Sequence, residues 1–492
     1  MINRITLGLL LAAALSACAT PPAIDGSQLP ATPASYKNPP AATLADGSWT
    51  LTAPADAANR GDWWLAYQDS TLNRLIDSAL QHNTDLAAAA ARLQQARAAL
   101  GVADADRMPQ LGVNVGNARG TQSGAGPSGT SLLNSSNTTP VKLTSVGANF
   151  SYEIDLAGRL AGASRAAALD AEASAALLQG SRLLIASQVA QTYFSLRLLD
   201  QQRQLLQDTV QSYARTAQLT RQRYQAGEES GLSLARIEAD SEATRAQAIA
   251  LDRQRAQLEN ALAVLTGQPA SGFRLEEAIW NASLPQIPAG LPAAMLARRP
   301  DVAAAQRKLL AAQTRVGVAQ AAWFPDLTLT SAGGYASSQL RDIFRWSARA
   351  WSVEGLLSLP LLDGGRRQAL LGSARADMEV AMADYRHSIL QSLAEVEDSL
   401  SDIRLLAQQE AAQQQAVDSA ARASALADSR YRNGQTGQLE LLDAQRSELA
   451  IRRQALSIRQ DRYLASLSLI RALGGSWDDS ASQQTSNNPK PI

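Results

Sequence analysis

The sequence has one cysteine, Cys18, and two histidines, His82 and His387, among its 492 residues. A single thiol excludes an internal disulfide and a thiolate-held metal site. Each histidine stands alone in a helical stretch, which reads as surface or core packing rather than ligation. Charge of one sign is also lacking. The 45 basic and 45 acidic residues cancel, so nothing argues for a nucleic-acid partner. Catalytic patterns are missing too. "EVED", Glu395 to Asp398, reads as a solvated helix face. "LDGGRR", residues 362–367, lacks phosphate-loop spacing and reads as a strand-to-helix turn. No metal, no cofactor and no enzymatic activity are expected.

Proline is absent from 141 to 268 and again from 361 to 488, which leaves room for unusually long helices. After the first residues there is no apolar run of about 18 residues, so any membrane crossing would have to be made by strands. The opening "MINRITLGLLLAAALSACAT" has one basic residue, an apolar stretch and then small residues, and so reads as an export signal over 1–17. "LSAC" resembles a bacterial lipobox that would make Cys18 the acylated first residue of the mature chain. An ordinary cleavage site with an incidental cysteine is the alternative. Ala19 after Cys18 favours the outer membrane. Residues 18–61 hold most of the early prolines and read as an extended, lipid-anchored segment. Residues 476–492 read as a flexible polar tail.

What is present is a repeat. Shifted by 216, Asp85 meets Asp301, Gly101-Val102-Ala103 meets Gly317-Val318-Ala319, and Pro109 meets Pro325. Shifted by 207, Tyr224 meets Tyr431, Gly227 meets Gly434, Leu232 meets Leu439 and Gly267 meets Gly474. The first half therefore carries nine extra residues, in a Gly/Ser/Asn-rich loop between 109 and 158. The repeats run 62–267 and 290–475, with 268–289 as a linker.

Each half reads as helix, strand, strand, very long helix, break, return helix. Strands are expected near 110–119, 143–156, 326–336 and 350–361, from their alternation of apolar and polar residues. The long helices are expected over 159–225 and 366–432, and the return helices over 232–266 and 439–473. A helix of 159–225 would span roughly 100 Å, against about 60 Å for a compact globule of this chain length. It needs neighbours along its length, in a coiled-coil-like array. Four amphipathic strands cannot close a barrel, but three chains would supply twelve. A soluble sheet packed on helices is the other reading of the strands.

"DWWLAYQDSTLNRLIDSALQHNTDL", "LARRPDVAAAQRKLLAAQTRVGVAQAAWFPDLTLT" and "LPLLDGGRRQA" resemble the outer-membrane factors of the TolC/OprM family, in particular its NodT-type lipoproteins. The likeness runs from about Asp62 to Gly475. It implies a mixed fold: a homotrimer forming a 12-stranded transmembrane β-barrel in the outer membrane, continued by a periplasmic α-helical barrel. It further implies a conduit that takes small molecules from an inner-membrane pump of the resistance-nodulation-division type, through a periplasmic adaptor. The breaks at Gly227, Ser230, Gly231, Leu232, Gly434 and Gly437 would be turns at the periplasmic tips that dock the adaptor. Their glycines would supply left-handed backbone. By the same likeness Arg432, Leu439, Glu440 and Asp443 match gate positions. Leu439 and Asp443 lie four apart and share a helix face. Ala235 and Arg236 stand where the second half has Leu442 and Asp443, so the two hairpins are not equivalent.

Two other readings stand beside the conduit. An adaptor or secretion lipoprotein without its own barrel would have one hairpin flanked by β modules rather than a duplicated chain. A lipid-tethered envelope enzyme would need a nucleophile or a paired-acid pocket, and neither is found. The exported substrate is not written in the sequence.

Overall fold

The computed structural model describes residues 61–120, 141–278 and 298–475, with short stretches between 22 and 37 and between 284 and 296. The signal segment, Cys18, most of the 18–61 segment, the loop 121–140 and the tail 476–492 lie outside these residues.

The duplicated order is present. The first half has α1 (Ser70–His82), α2 (Thr84–Ala105), β1 (Gln110–Gly120), β2 (Val141–Ile154), α3 (Arg159–Gln225) and α4 (Gly231–Leu265). The second has α5 (Pro300–Ala321), β3 (Asp326–Ser337), β4 (Arg349–Ser358), α6 (Arg366–Arg432) and α7 (Gln438–Ala472). The long helices have 67 residues each and the return helices 35 each. No described helix is long and apolar enough to cross a membrane. The chain divides into a strand-bearing unit (Met1–Gln28, Gln94–Ala173, Gln306–Asp384) and a helical unit (Leu29–Leu93, Ser174–Ala305, Tyr385–Ile492).

In the strand-bearing unit the four strands form one antiparallel meander, in the order β1-β2-β3-β4. Its register sorts the side chains by chemistry. One face carries the rows Leu111–Phe150–Ser331–Val353, Val113–Ala148–Gly333–Trp351 and Val115–Val146–Tyr335–Arg349. The other carries Gly112–Asn149–Ala332–Ser352 and Asn114–Gly147–Gly334–Ala350. Alternation puts apolar groups on one side and small or polar ones on the other. Among the described residues the apolar side is largely bare: Leu111, Val113, Val115, Trp351 and Val353 are each at least 74% exposed. The helices of this unit approach closely through small residues. A side chain at Gly162 would put its Cβ 2.8 Å from Val318, and Ala166, Ala171, Ala311 and Ala312 are buried.

"LDGGRR" is the strand-to-helix turn that its glycines suggest. The Asp363 carboxylate accepts the N–H groups of Gly365 and Arg367, both at 3.1 Å, and Arg367 Nε at 2.7 Å, so it caps the entry of α6.

In the helical unit, Trp63, Trp64 and Tyr67 pack with Leu72, Ile76, Val189, Phe194, Leu262, Tyr463 and Ile470. The tryptophans are thus core residues. Tyr67 Oη and Ser466 Oγ lie 2.6 Å apart, and Tyr193 Oη donates to Asp69 at 2.7 Å. These bonds satisfy polar tips that burial would otherwise leave at a cost.

The two return helices end in the same way. In each, a left-handed glycine (Gly267, φ +71; Gly474, φ +82) closes a Schellman turn. The last carbonyl of each helix is then held by a side chain from the start of a repeat. Asn83 Nδ2 donates to Leu265 O at 2.9 Å, and Arg299 donates to Ala472 O at 3.1 Å. Asn83 and Arg299 are equivalent by the 216 shift. Arg299 is buried and also pairs with Asp301 at 2.7 Å and Glu395 at 2.8 Å. Here the solvated reading of "EVED" fails. Glu395 is drawn to that buried guanidinium, and Glu397 accepts the Lys37 N–H at 2.6 Å.

Candidate functional site

The helix hairpins in the helical unit turn at the two glycine breaks. At the end of α3, Gly227 (φ +81) lets Glu228 N–H donate to Arg223 O at 2.8 Å. At the end of α6, Gly434 (φ +67) lets Gln435 N–H donate to Arg430 O at 2.8 Å. Only these two tip glycines are left-handed, which corrects the expectation for Gly231 and Gly437. Gly231 is the first residue of α4. Gly437 is the N-cap of α7, with φ −80 and ψ 161. Both sit at helix entry, where the backbone is extended or right-handed. Ser230, equivalent to Gly437, caps α4 by accepting the Ser233 N–H at 3.1 Å. Leu232 and Leu439 are exposed at 59% and 61%.

Beneath the tips lies a polar knot that pattern reading does not single out. Tyr431 is fully buried, with its hydroxyl 3.0 Å from Thr220 Oγ1, and Gln438 Nε2 donates to that oxygen at 3.1 Å. The Arg223 guanidinium lies 4.8 Å over the Tyr431 ring and donates to the carbonyls of Tyr431 (3.3 Å) and Arg432 (3.2 Å). The hairpins are thereby tied across the repeat. The recurring "RY" at 223–224 and 430–431 was the available signal, but Tyr224 is half exposed and Tyr431 is not. Further along, Arg446 bridges to both oxygens of Asp240, at 2.6 and 2.7 Å. Buried neutral hydrogen bonds of this kind contribute about 1 kcal/mol each, and half-exposed ion pairs about 1 kcal/mol or less.

The four residues suggested as a gate lie at the start of α7 and the end of α6, and all are exposed. Within one chain they are not brought together. Arg432 pairs with Asp428 at 2.8 Å, and Glu440 accepts from the Thr436 hydroxyl. Leu439 and Asp443 share the exposed face of α7, while Gln438, Leu441 and Leu442 are buried. Cys18 lies outside the described residues.

Residues 75–268 and 291–475, one stretch in each repeat, match the model of the family described as outer membrane efflux protein. The cation efflux system protein CusC of Escherichia coli O6:H1 is 33% identical over 431 residues, covering 87% of this chain and 91% of the relative. The toluene efflux pump outer membrane protein TtgF of Pseudomonas putida is 30% identical over 478 residues, covering 97% and 98%. The crystal structure of the outer membrane protein VceC of Vibrio cholerae superposes with a TM-score of 0.78 at 30% identity, covering 85% of this chain and 99% of that one.

Proposed function

The chain belongs to the outer membrane efflux protein family and is the outer-membrane channel component of an efflux system; from that premise we propose that it works as a trimer whose sheets close into one twelve-stranded barrel. The observation that carries this reading is the sheet itself: four strands, open at β1 and β4, with one bare apolar face. An open edge is intolerable in lipid, and three such sheets joined edge to edge leave none. Along β2 the apolar rows run from Ile154 to Val146, which is about 27 Å at the strand rise. Strands in such barrels tilt by about 40°, so this run stands about 20 Å tall and fills most of an apolar band of about 25 Å. The small and polar face would then line a watery lumen.

Cysteine pairs joining Asn114 of β1 to 350, 352 or 354 of β4 test closure. Within one chain these strands stand three spacings apart, about 14 Å, too far for a disulfide. Oxidation should therefore give a ladder ending at trimer. Monomer throughout the panel would sink the barrel.

The helical hairpins then continue the conduit, with Gly227, Ser230, Gly231, Leu232, Gly434 and Gly437 forming tips that meet a periplasmic adaptor. The exposed leucine on each tip supports an apolar contact there. A resistance-nodulation-division pump would feed the conduit, and acylated Cys18 would anchor it to the lipid. Leu439 and Asp443, repeated by three-fold symmetry, form stacked rings of apolar and acidic groups that oppose hydration and select cations. Arg432 and Glu440 flank them. Leu439→Ala with Asp443→Ala should raise single-channel conductance in planar bilayers several-fold. Unchanged conductance places the constriction elsewhere. Relatives named for cation efflux and for toluene efflux resemble this chain over most of its length, which supports a conduit whose substrate is chosen at the pump.

A further inference from the structure

The two ends of the sheet differ in charge. β3 follows α5 and β4 leads into α6, so the β3–β4 hairpin lies at the end away from these helices. The helix-proximal ends mix signs, with Glu153, Asp155, Asp326 and Glu354 beside Arg159, which pairs with Glu153 at 2.6 Å. The far ends, residues 117–144 and 335–351, hold Arg119, Lys142, Arg341, Arg345 and Arg349 against one acid, Asp342. That acid is taken up locally, 3.0 Å from Arg345 and 3.7 Å from Arg341.

Arg119 and Lys142 are the unusual pair. They stand directly opposite each other across β1 and β2, an arrangement that destabilises a sheet unless something neutralises it. Both are exposed, and neither has an ion-pair partner among the described residues. The intervening sequence 121–140 contains no acid. By alternation from Leu111 they lie on the apolar face, two rows beyond Val115–Val146–Tyr335–Arg349. Arg349 stacks on Trp346 and donates to its carbonyl at 2.9 Å. Trp346, Trp351 and Phe344 are exposed beside it. Read outward, the face passes from aliphatic through aromatic to basic. Aromatic groups favour the membrane–water boundary, so the cations fall at headgroup level, where the available anions are lipid phosphates.

We propose that Arg119, Lys142 and Arg349, flanked by Trp346 and Trp351, bind the phosphate groups of a phosphorylated glycolipid in the outer leaflet. This rests on the barrel reading above. Charge-assisted bonds from arginine to phosphate are short and directional, and such a lipid would relieve the like-charge pair that the strand register creates.

The test uses full-length protein extracted in detergent, freed of lipid and titrated with lipid A under native mass spectrometry, which also counts protomers. The expected spectrum is a trimer that retains phosphorylated lipid A. Retention should fall at least about tenfold for the R119Q/K142Q/R349Q variant, and equally for wild-type protein offered dephosphorylated lipid A. Equal retention of the two lipids by the wild-type trimer overturns the proposal, however the variant behaves. Wild-type protein seen only as monomer overturns the barrel reading, and this proposal with it.

Discussion

Gly267→Ala should destabilise the protein by about 3 kcal/mol or more, whereas Gly434→Ala should cost only about 1–2 kcal/mol. Both glycines are left-handed, with φ +71 and +67, so the backbone penalty is common to the two. The difference is space. A Cβ at Gly267 would lie 2.3 Å from His82 O and 2.9 Å from His82 C, whereas at Gly434 it meets nothing within 4 Å. Backbone cannot swing aside as a side chain can, so the α1–α2 junction must shift to admit the methyl. Gly474→Ala should fall between, because its nearest neighbour, Arg298 O, is 3.0 Å away. Denaturation midpoints of the full chain in detergent would rank the three. Equal effects at 267 and 434 would show that the His82 contact yields freely.

The second large effect is expected at Arg299. Arg299→Met removes a buried guanidinium that serves Asp301, Glu395 and the Ala472 carbonyl together. The loss should be about 2 kcal/mol, that of charge-assisted hydrogen bonds, because the carboxylates left behind, Asp301 and Glu395, are 51% and 28% exposed and stay hydrated. Arg299→Lys should recover only part of it, because an ammonium cannot reproduce the planar fork. The pair also predicts a pH signature. Burial on its own would raise the Asp301 carboxyl, but the hydrogen bonds and charge of Arg299 outweigh it and hold the group below its ordinary value. A depressed carboxyl stabilises the fold above its unfolded value, about 3.9, and loses that contribution as pH falls through the lower folded value. Melting temperature should therefore fall with acidification below about pH 4, and fall less steeply in Arg299→Met. Parallel slopes would separate Asp301 from the acid limb.

Helices, strands and the duplication were legible because each rests on a local rule: proline exclusion, alternation, or a repeated glycine. Left-handed backbone was assigned to four tip glycines and belongs to two, since composition does not separate a C-terminal turn from the helix entry three or four residues later. The Tyr431–Thr220–Gln438 knot was not legible, because it joins residues more than two hundred positions apart and the recurring "RY" does not tell the buried tyrosine from the exposed one. Glu395 was not legible either, because its partner Arg299 lies 96 positions away, just before α5. Asn83 and Arg299 are the most telling case. They occupy equivalent places and hold equivalent carbonyls, yet differ so much in chemistry that no sequence comparison of the halves would pair them by type.

The matched lengths of the hairpins have a consequence for how this protein can change. One residue removed from α3 rotates everything beyond it by about 100° and draws it back by 1.5 Å. The hairpin bonds from Arg223 to the Tyr431 and Arg432 carbonyls would then miss by more than about a quarter of a circle. Drift in length is therefore forbidden in the helices unless both repeats alter together by whole turns of their packing. The nine-residue difference between the halves sits in the strand-to-strand connection, outside the helices. Grafts between relatives should succeed when hairpins are exchanged whole, and fail when cut midway along a helix.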